Sequence, residues 1–287
     1  MRLQNFINER LKITSKTKSV MIRAKTSKEL RSLIEQELKK QGPDADLNHI
    51  DVSNIDDMSK LFEDLNIENI KINEWDTSNV TDMHDMFNLC ENFNCNLSKW
   101  DTQNVTDMSY MFNNCGSFEG TDLDNWNVSK VTNMEGTFRQ CISFKTALPS
   151  WDVRNVTNMI EMFFGCTKFE GKGLDKWGSR VSNVTSMKQM FQFCEVFNAN
   201  LYRWDVRNVT DMNAMFSECY EFEGKGLDRW NPRVFKVTDM RDMFKECEKL
   251  NVDLSRWNTS NVTQWEDAFE KCPNMLDHPE LQPKFYR

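Results

Sequence analysis

The 287-residue sequence has no run of about 18 apolar residues, which excludes a transmembrane helix. Histidine is scarce: His49, His84 and His278 are too few and too scattered for a histidine-based metal centre. No two cysteines are spaced C-x-x-C, and no phosphate-cradling glycine loop or nucleophile–base pair is present. The sequence therefore predicts no enzyme, no cofactor and no metal site. The amino-terminal arm also lacks the apolar core, about 7–15 residues long, that a secretory signal requires. Only six prolines punctuate the chain.

What is abundant is unusual: 9 Trp, 17 Met, 20 Phe and 9 Cys, a skew that signals one short pattern copied many times. Eight tryptophans fall at 75, 100, 126, 151, 177, 204, 230 and 257, spaced by 25 to 27 residues. Each unit reads W-D-V-S-N-V-T-D-M-x-x-M-F-x-x-C-x-x-F-x-x-x-L. Thr (Thr81 to Thr263), Phe (Phe87 to Phe269) and Cys (Cys90 to Cys272) form complete columns. A degenerate unit, Ile50 to Phe62, precedes them without Trp or Cys.

A unit of this size cannot close a core alone, but stacked copies bury a continuous one. The expected fold is therefore an α/β repeat solenoid of eight to nine coils. The alternation in Val-Thr-x-Met predicts a short strand in each coil. The spacing M-x-x-M-F-x-x-C puts apolar groups at i, i+3, i+4 and i+7, which predicts one short helix. The stretch through Leu to the next Trp reads as a second strand. A longer period of two units is also present. Glycine loops recur at Phe118-Glu-Gly, Phe169-Glu-Gly-Lys-Gly and Phe222-Glu-Gly-Lys-Gly, and two extra residues precede Val184 and Val237. These bulges are expected to project on one edge.

The columns N-V-T-D-M-x-x-M-F-x-x-C-x-x-F resemble the BspA-like leucine-rich repeats, specifically the mycoplasma-type subclass, over roughly residues 50 to 276. The stretch from Lys28 to Ser53 resembles that family's amino-terminal cap. The resemblance implies a leucine-rich-repeat-like solenoid that binds proteins and has no catalytic residues to carry over. The segment NFINERLKI resembles the short leaders of many proteins encoded by gut bacteriophages.

The chain divides into a basic leader (1–25), a helical cap (26–49), the repeat solenoid (50–276) and a tail (277–287). Residues 1–49 carry a net charge of +5 in a chain of −8, so the rest sums to −13. Net acidity argues against nucleic acid as a general partner, leaving the basic leader or a local basic stripe to touch it. In the cap, Leu30, Leu33, Ile34 and Leu38 are expected to face the first coil.

One cysteine per coil reads as a small apolar core group, and nine thiols without a signal peptide suggest a reducing compartment. A bacterial or phage-associated cytosol is the expected location, with the cell surface as alternative. The Asn and Thr columns are expected to form polar ladders. The acidic column (Asp82, Asp107, Asp211, Asp239) is broken by Asn133, Asn158, Ser186 and Gln264, and reads as capping rather than as a calcium row.

Specificity is expected where the framework stops repeating. Positions between the methionines and before each Cys vary most, and exposed aromatic groups on variable positions offer anchors for a protein partner: Tyr110, Phe164, Phe193, Tyr202 and Tyr220. The competing reading is that they only cover neighbouring coils. Lys176, Arg203, Arg229 and Arg256, each just before a Trp, form a possible basic stripe, with Arg154, Arg180, Arg207 and Arg233 nearby. That stripe reads first as a solvated edge. The expected function is protein recognition without chemistry. The alternatives are a phage-encoded virion-associated or host-directed effector, and a surface adhesin.

Overall fold

A computed structural model describes residues 21–285. Every unit makes one coil: coil 1 is the degenerate unit from Ile50, and coils 2 to 9 begin at the eight column tryptophans. The Trp, Val, Met, Phe, Cys and Leu columns point inward and merge into one core running the length of the stack. The result is a leucine-rich-repeat-like solenoid.

Within a coil the local structure is finer than the sequence suggests. The expected first strand contracts to a single parallel bridge per coil, in the unbroken series Asp57–Asp82–Asp107–Asn133–Asn158–Ser186–Asp211–Asp239–Gln264. The expected short helix is replaced by linked turns. The residue before the second Met is left-handed in every coil, as at Asp85, Tyr110, Glu161 and Ala214 (φ 50° to 54°). So is the residue before each Cys, as at Leu89, Gln140 and Phe193 (φ 59° to 64°). Two left-handed residues four apart break any i→i+4 ladder. They turn alternate N–H groups along the stack instead. Asp85 donates to Ser109 O at 2.9 Å, Phe87 to Met111 O at 2.8 Å and Leu89 to Asn113 O at 2.9 Å. The expected second strand likewise contracts, to the single bridge Asp46–Lys71 between the cap and coil 1; in alternate coils that segment holds 3₁₀ turns at Leu123–Asn125, Leu174–Lys176 and Leu227–Trp230.

Side chains bond in the opposite direction, back to the preceding coil. All eight column indoles donate Nε1–H to the Leu-column carbonyl behind them, at 2.8 to 3.1 Å. All eight column thiols donate to the Phe carbonyl behind them, at 2.6 to 3.1 Å. Six asparagines beside the Val-Thr column reach back at 2.6 to 2.8 Å, from Asn79 to Asn261. Where Lys130 and Lys236 replace Asn, the ammonium bonds the Oδ1 of Asn104 or Asn208 behind it. Each such bond contributes about 1 kcal/mol net, and leaving one partner buried and unpaired costs more. The rings also stack: Trp75 on Trp100 at 6.4 Å and Phe87 on Phe112 at 5.5 Å, with planes within 6°.

The two ends are closed differently. Strand β1 (Ile22–Arg23) pairs in parallel with β2 (Ile50–Asp51), and helix α1 (Ser27–Gln41) lies against coil 1 with Leu30 and Ile34 buried. Thr26 caps α1 by accepting from Glu29 N–H. Coil 1 presents carbonyls with no coil before it. Arg31 takes those of Lys60, Leu61 and Glu63 at 3.0 to 3.1 Å, and Ser27 takes that of Asp57. At the other end, Leu281 O accepts from Leu254 N–H and the Phe285 ring stacks on Trp265 at 5.3 Å. Among the described residues the N–H groups of Trp265, Asp267, Phe269 and Lys271 meet no such acceptor.

Candidate functional site

The two-coil period builds the most distinctive surface. In coils 6 and 8 the extra residues after Trp177 and Trp230 make bulges, a 3₁₀ turn at Gly178–Val181 and a set of turns at 231–236. Each bulge carries an arginine three residues past its Trp. Arg180 Nη1 donates to Trp151 O at 3.0 Å, and Arg233 Nη1 to Trp204 O at 2.8 Å. Coil 7, between them, has no bulge. The gap is a groove of about 720 Å³ lined by Lys176, Gly178, Ser179, Arg180, Tyr202, Arg203, Arg229 and Arg233 beside Trp177. Five cations line it and no carboxylate does.

Lys176, Arg203, Arg229 and Tyr202 therefore come together in one place. Lys176 and Arg229 pair with their neighbours Asp175 at 2.9 Å and Asp228 at 3.2 Å. The Arg203 guanidinium lies 5.1 Å from the Tyr202 ring centre and donates to its hydroxyl. Arg256 is exposed but stands outside the groove. Arg180 and Arg233, which complete the groove, were visible in the sequence as equivalent positions of the two insertions.

The other aromatic candidates sit elsewhere and are less available than their variable columns suggest. Phe164 is buried, with 9% of its surface exposed, under the edge of Phe193 (5.1 Å) and the Arg139 guanidinium (4.7 Å). Phe193 is half-buried by the same contact. The Tyr110 ring covers Gly136, where a Cβ would lie 2.4 Å from it, and its hydroxyl donates to Glu135. Burial and that carboxylate hold the Tyr110 phenol above its usual range. Tyr220 is half-buried beside Glu218. Tyr110 and Phe193 occupy left-handed turn positions and each covers a neighbouring coil, Tyr110 the Gly136 of the next and Phe193 the Phe164 of the one before. The varied columns are thus part of the fold.

The acidic column caps turns. Asp82, Asp107, Asp211 and Asp239 each accept the N–H two residues on, at 2.7 to 3.0 Å. Asp242, Asp267 and Glu270 converge within 4.8 Å, but the Lys245 ammonium already sits 2.5 Å from Glu270 and 3.6 Å from Asp242. Burial raises the column thiols, with Cys90 and Cys272 pushed up to about 12, so they are poor nucleophiles.

The family described as "Mycoplasma protein of unknown function, DUF285" matches residues 33–121, 116–230 and 169–280. No curated protein matches the chain. Similar solved structures include a leucine-rich-repeat protein of T. pallidum, 14% identical over 61% of this chain and 75% of that one, TM-score 0.35. A leucine-rich cell surface protein of Faecalibacterium prausnitzii is 12% identical over 70% and 76%, TM-score 0.28. A leucine-rich-repeat protein of Bacteroides ovatus is 13% identical over 79% and 70%, TM-score 0.26. The leader likened to phage proteins lies ahead of the family match and, to residue 20, outside the described residues. With three overlapping matches spanning nearly the whole array, the chain belongs to the DUF285 family of BspA-like leucine-rich repeats.

Proposed function

We propose that the chain is a non-catalytic scaffold that recognises a partner protein on the bulged edge of coils 6 to 8. One observation carries this reading: the framework repeats through every coil, and the place where it departs from its period is where a charged groove opens. An interaction solenoid varies its surface while holding its core fixed. Aromatic and arginine side chains, which dominate binding energy at protein interfaces, meet there as Tyr202, Arg180, Arg203 and Arg233. A reducing compartment suits this scaffold, because all nine cysteines are free and the eight column thiols are spent as hydrogen-bond donors.

The test is affinity capture on the immobilised full chain, comparing wild type with the Arg203→Glu/Arg229→Glu variant. The reading expects a specific partner that the wild type retains and the variant releases, with melting temperature unchanged. Retention equal in both, or turnover of a substrate that depends on column residues, would overturn it.

A further inference from the structure

The groove's chemistry points to the kind of segment it takes. Arg180 and Arg233 are held by backbone carbonyls through Nη1, and among the described residues their Nε and Nη2 groups have no acceptor. A guanidinium fixed in this way is pre-organised for a carboxylate or phosphate oxygen pair. The anchors stand two coil steps apart, roughly 10 Å at the usual interstrand spacing, which an extended peptide covers in about three residues. Tyr202 and Arg203 lead directly into Trp204 of the coil between them, and Lys176 and Arg229 complete the cationic lining.

Resting on the protein-recognition reading, we infer that this groove binds a short acidic peptide segment, with carboxylates two or three residues apart seated on Arg180 and Arg233. Charge elsewhere selects a short segment over a polyanion. The chain carries −8 overall, and Asp175 and Asp228 pair with Lys176 and Arg229. The adjoining concavity, which shares Tyr202, is lined by Glu170 and Asp175 against a single cation, Lys172, already paired with Glu170 at 2.8 Å. A nucleic acid tracking beyond the groove would meet repulsion; a few side-chain carboxylates would not.

The experiment is fluorescence anisotropy at low salt with a labelled hexaglutamate peptide on the full chain. A hexalysine peptide and a single-stranded oligothymidine of equal length serve as comparisons. Saturable hexaglutamate binding is expected, weakened about tenfold by Arg203→Glu and abolished in the Arg203→Glu/Arg229→Glu variant. Arg256→Glu, the same charge change outside the groove, is expected to leave it within about twofold. Folding of each variant is checked by circular dichroism, and Arg203, Arg229 and Arg256 are all exposed. No saturable binding, equal loss with Arg256→Glu, or tighter binding of oligothymidine would overturn the inference. If hexaglutamate fails while partner capture still depends on Arg203, the scaffold reading stands and only the acidic-segment assignment falls.

Discussion

The indole N–H of Trp151 donates to the carbonyl of Leu123 at 2.8 Å, in a core where neither residue retains any exposed surface. The same bond recurs from coil to coil, so each Trp is both a packing element and a staple. Trp151→Phe keeps most of the ring but removes the indole donor, leaving the Leu123 carbonyl with only its bond from Trp126 N–H at 3.0 Å. The expected loss is about 1–3 kcal/mol, combining one lost buried hydrogen bond with a small cavity. Chemical denaturation of the variant would show it; an unchanged midpoint would mean the bond contributes nothing.

The buried thiols make stability fall in alkali. Their folded values lie above the ordinary value near 9, with Cys90 pushed up to about 12 by burial. A group that stays protonated in the fold but ionises when unfolded stabilises fully below pH 9. That contribution is lost as pH rises toward 12, at up to about 1.4 kcal/mol per pH unit for each such thiol. Melting temperature is expected to drop steeply above pH 9, less steeply in Cys166→Ala. Native chain at pH 8 should resist thiol reagents that label all nine cysteines after denaturation.

Left-handed turn positions predict opposite effects of one methyl group. Ala214 sits at φ 50° and is buried, so Ala214→Gly relieves strain of about 1 kcal/mol and should raise the melting temperature. Gly165 holds the other left-handed place of its coil, just before Cys166, without strain at φ 72°, and a Cβ there would come within 2.9 Å of the Gln140 amide. Gly165→Ala should lower the melting temperature by a comparable amount. A rise in the second variant would contradict the assigned backbone.

Arg31 closes the acceptor end of the ladder. Arg31→Ala removes donors from three carbonyls of coil 1 and is expected to cost about 1–3 kcal/mol. Hydrogen exchange should quicken first in α1 and coil 1, leaving coils 4 to 7 protected. Uniform loss of protection along the array would instead indicate a globally cooperative unit.

The solenoid and its inward columns were legible because a residue repeated in register can face only one way. Even the missing Trp and Cys of the first unit carried information. Those two side chains bond the coil behind, and Ile50 and Leu65, which stand in their places, have no coil carbonyl to meet. The turn structure was not legible. Apolar spacing at i, i+3, i+4 and i+7 suits a helix and a pair of left-handed turns equally, and main-chain bonding between coils decides. Nor do Asp85, Tyr110 and Ala214 share a side-chain property that marks their backbone. The basic residues near Trp177, Trp204 and Trp230 were evident in the sequence, but that a missing bulge in coil 7 brings them to one groove depends on the stacking.

The ladder's polarity makes elongation one-way. A module spliced in after Cys272, with helix α2 (Pro273–Asp277) moved outward, would find the outward amides of Trp265, Asp267, Phe269 and Lys271 already aligned to receive its carbonyls. A module spliced in ahead of Ile50 would have to evict Arg31 and Ser27 first. A longer or re-addressed array is therefore best engineered from its carboxy-terminal rim.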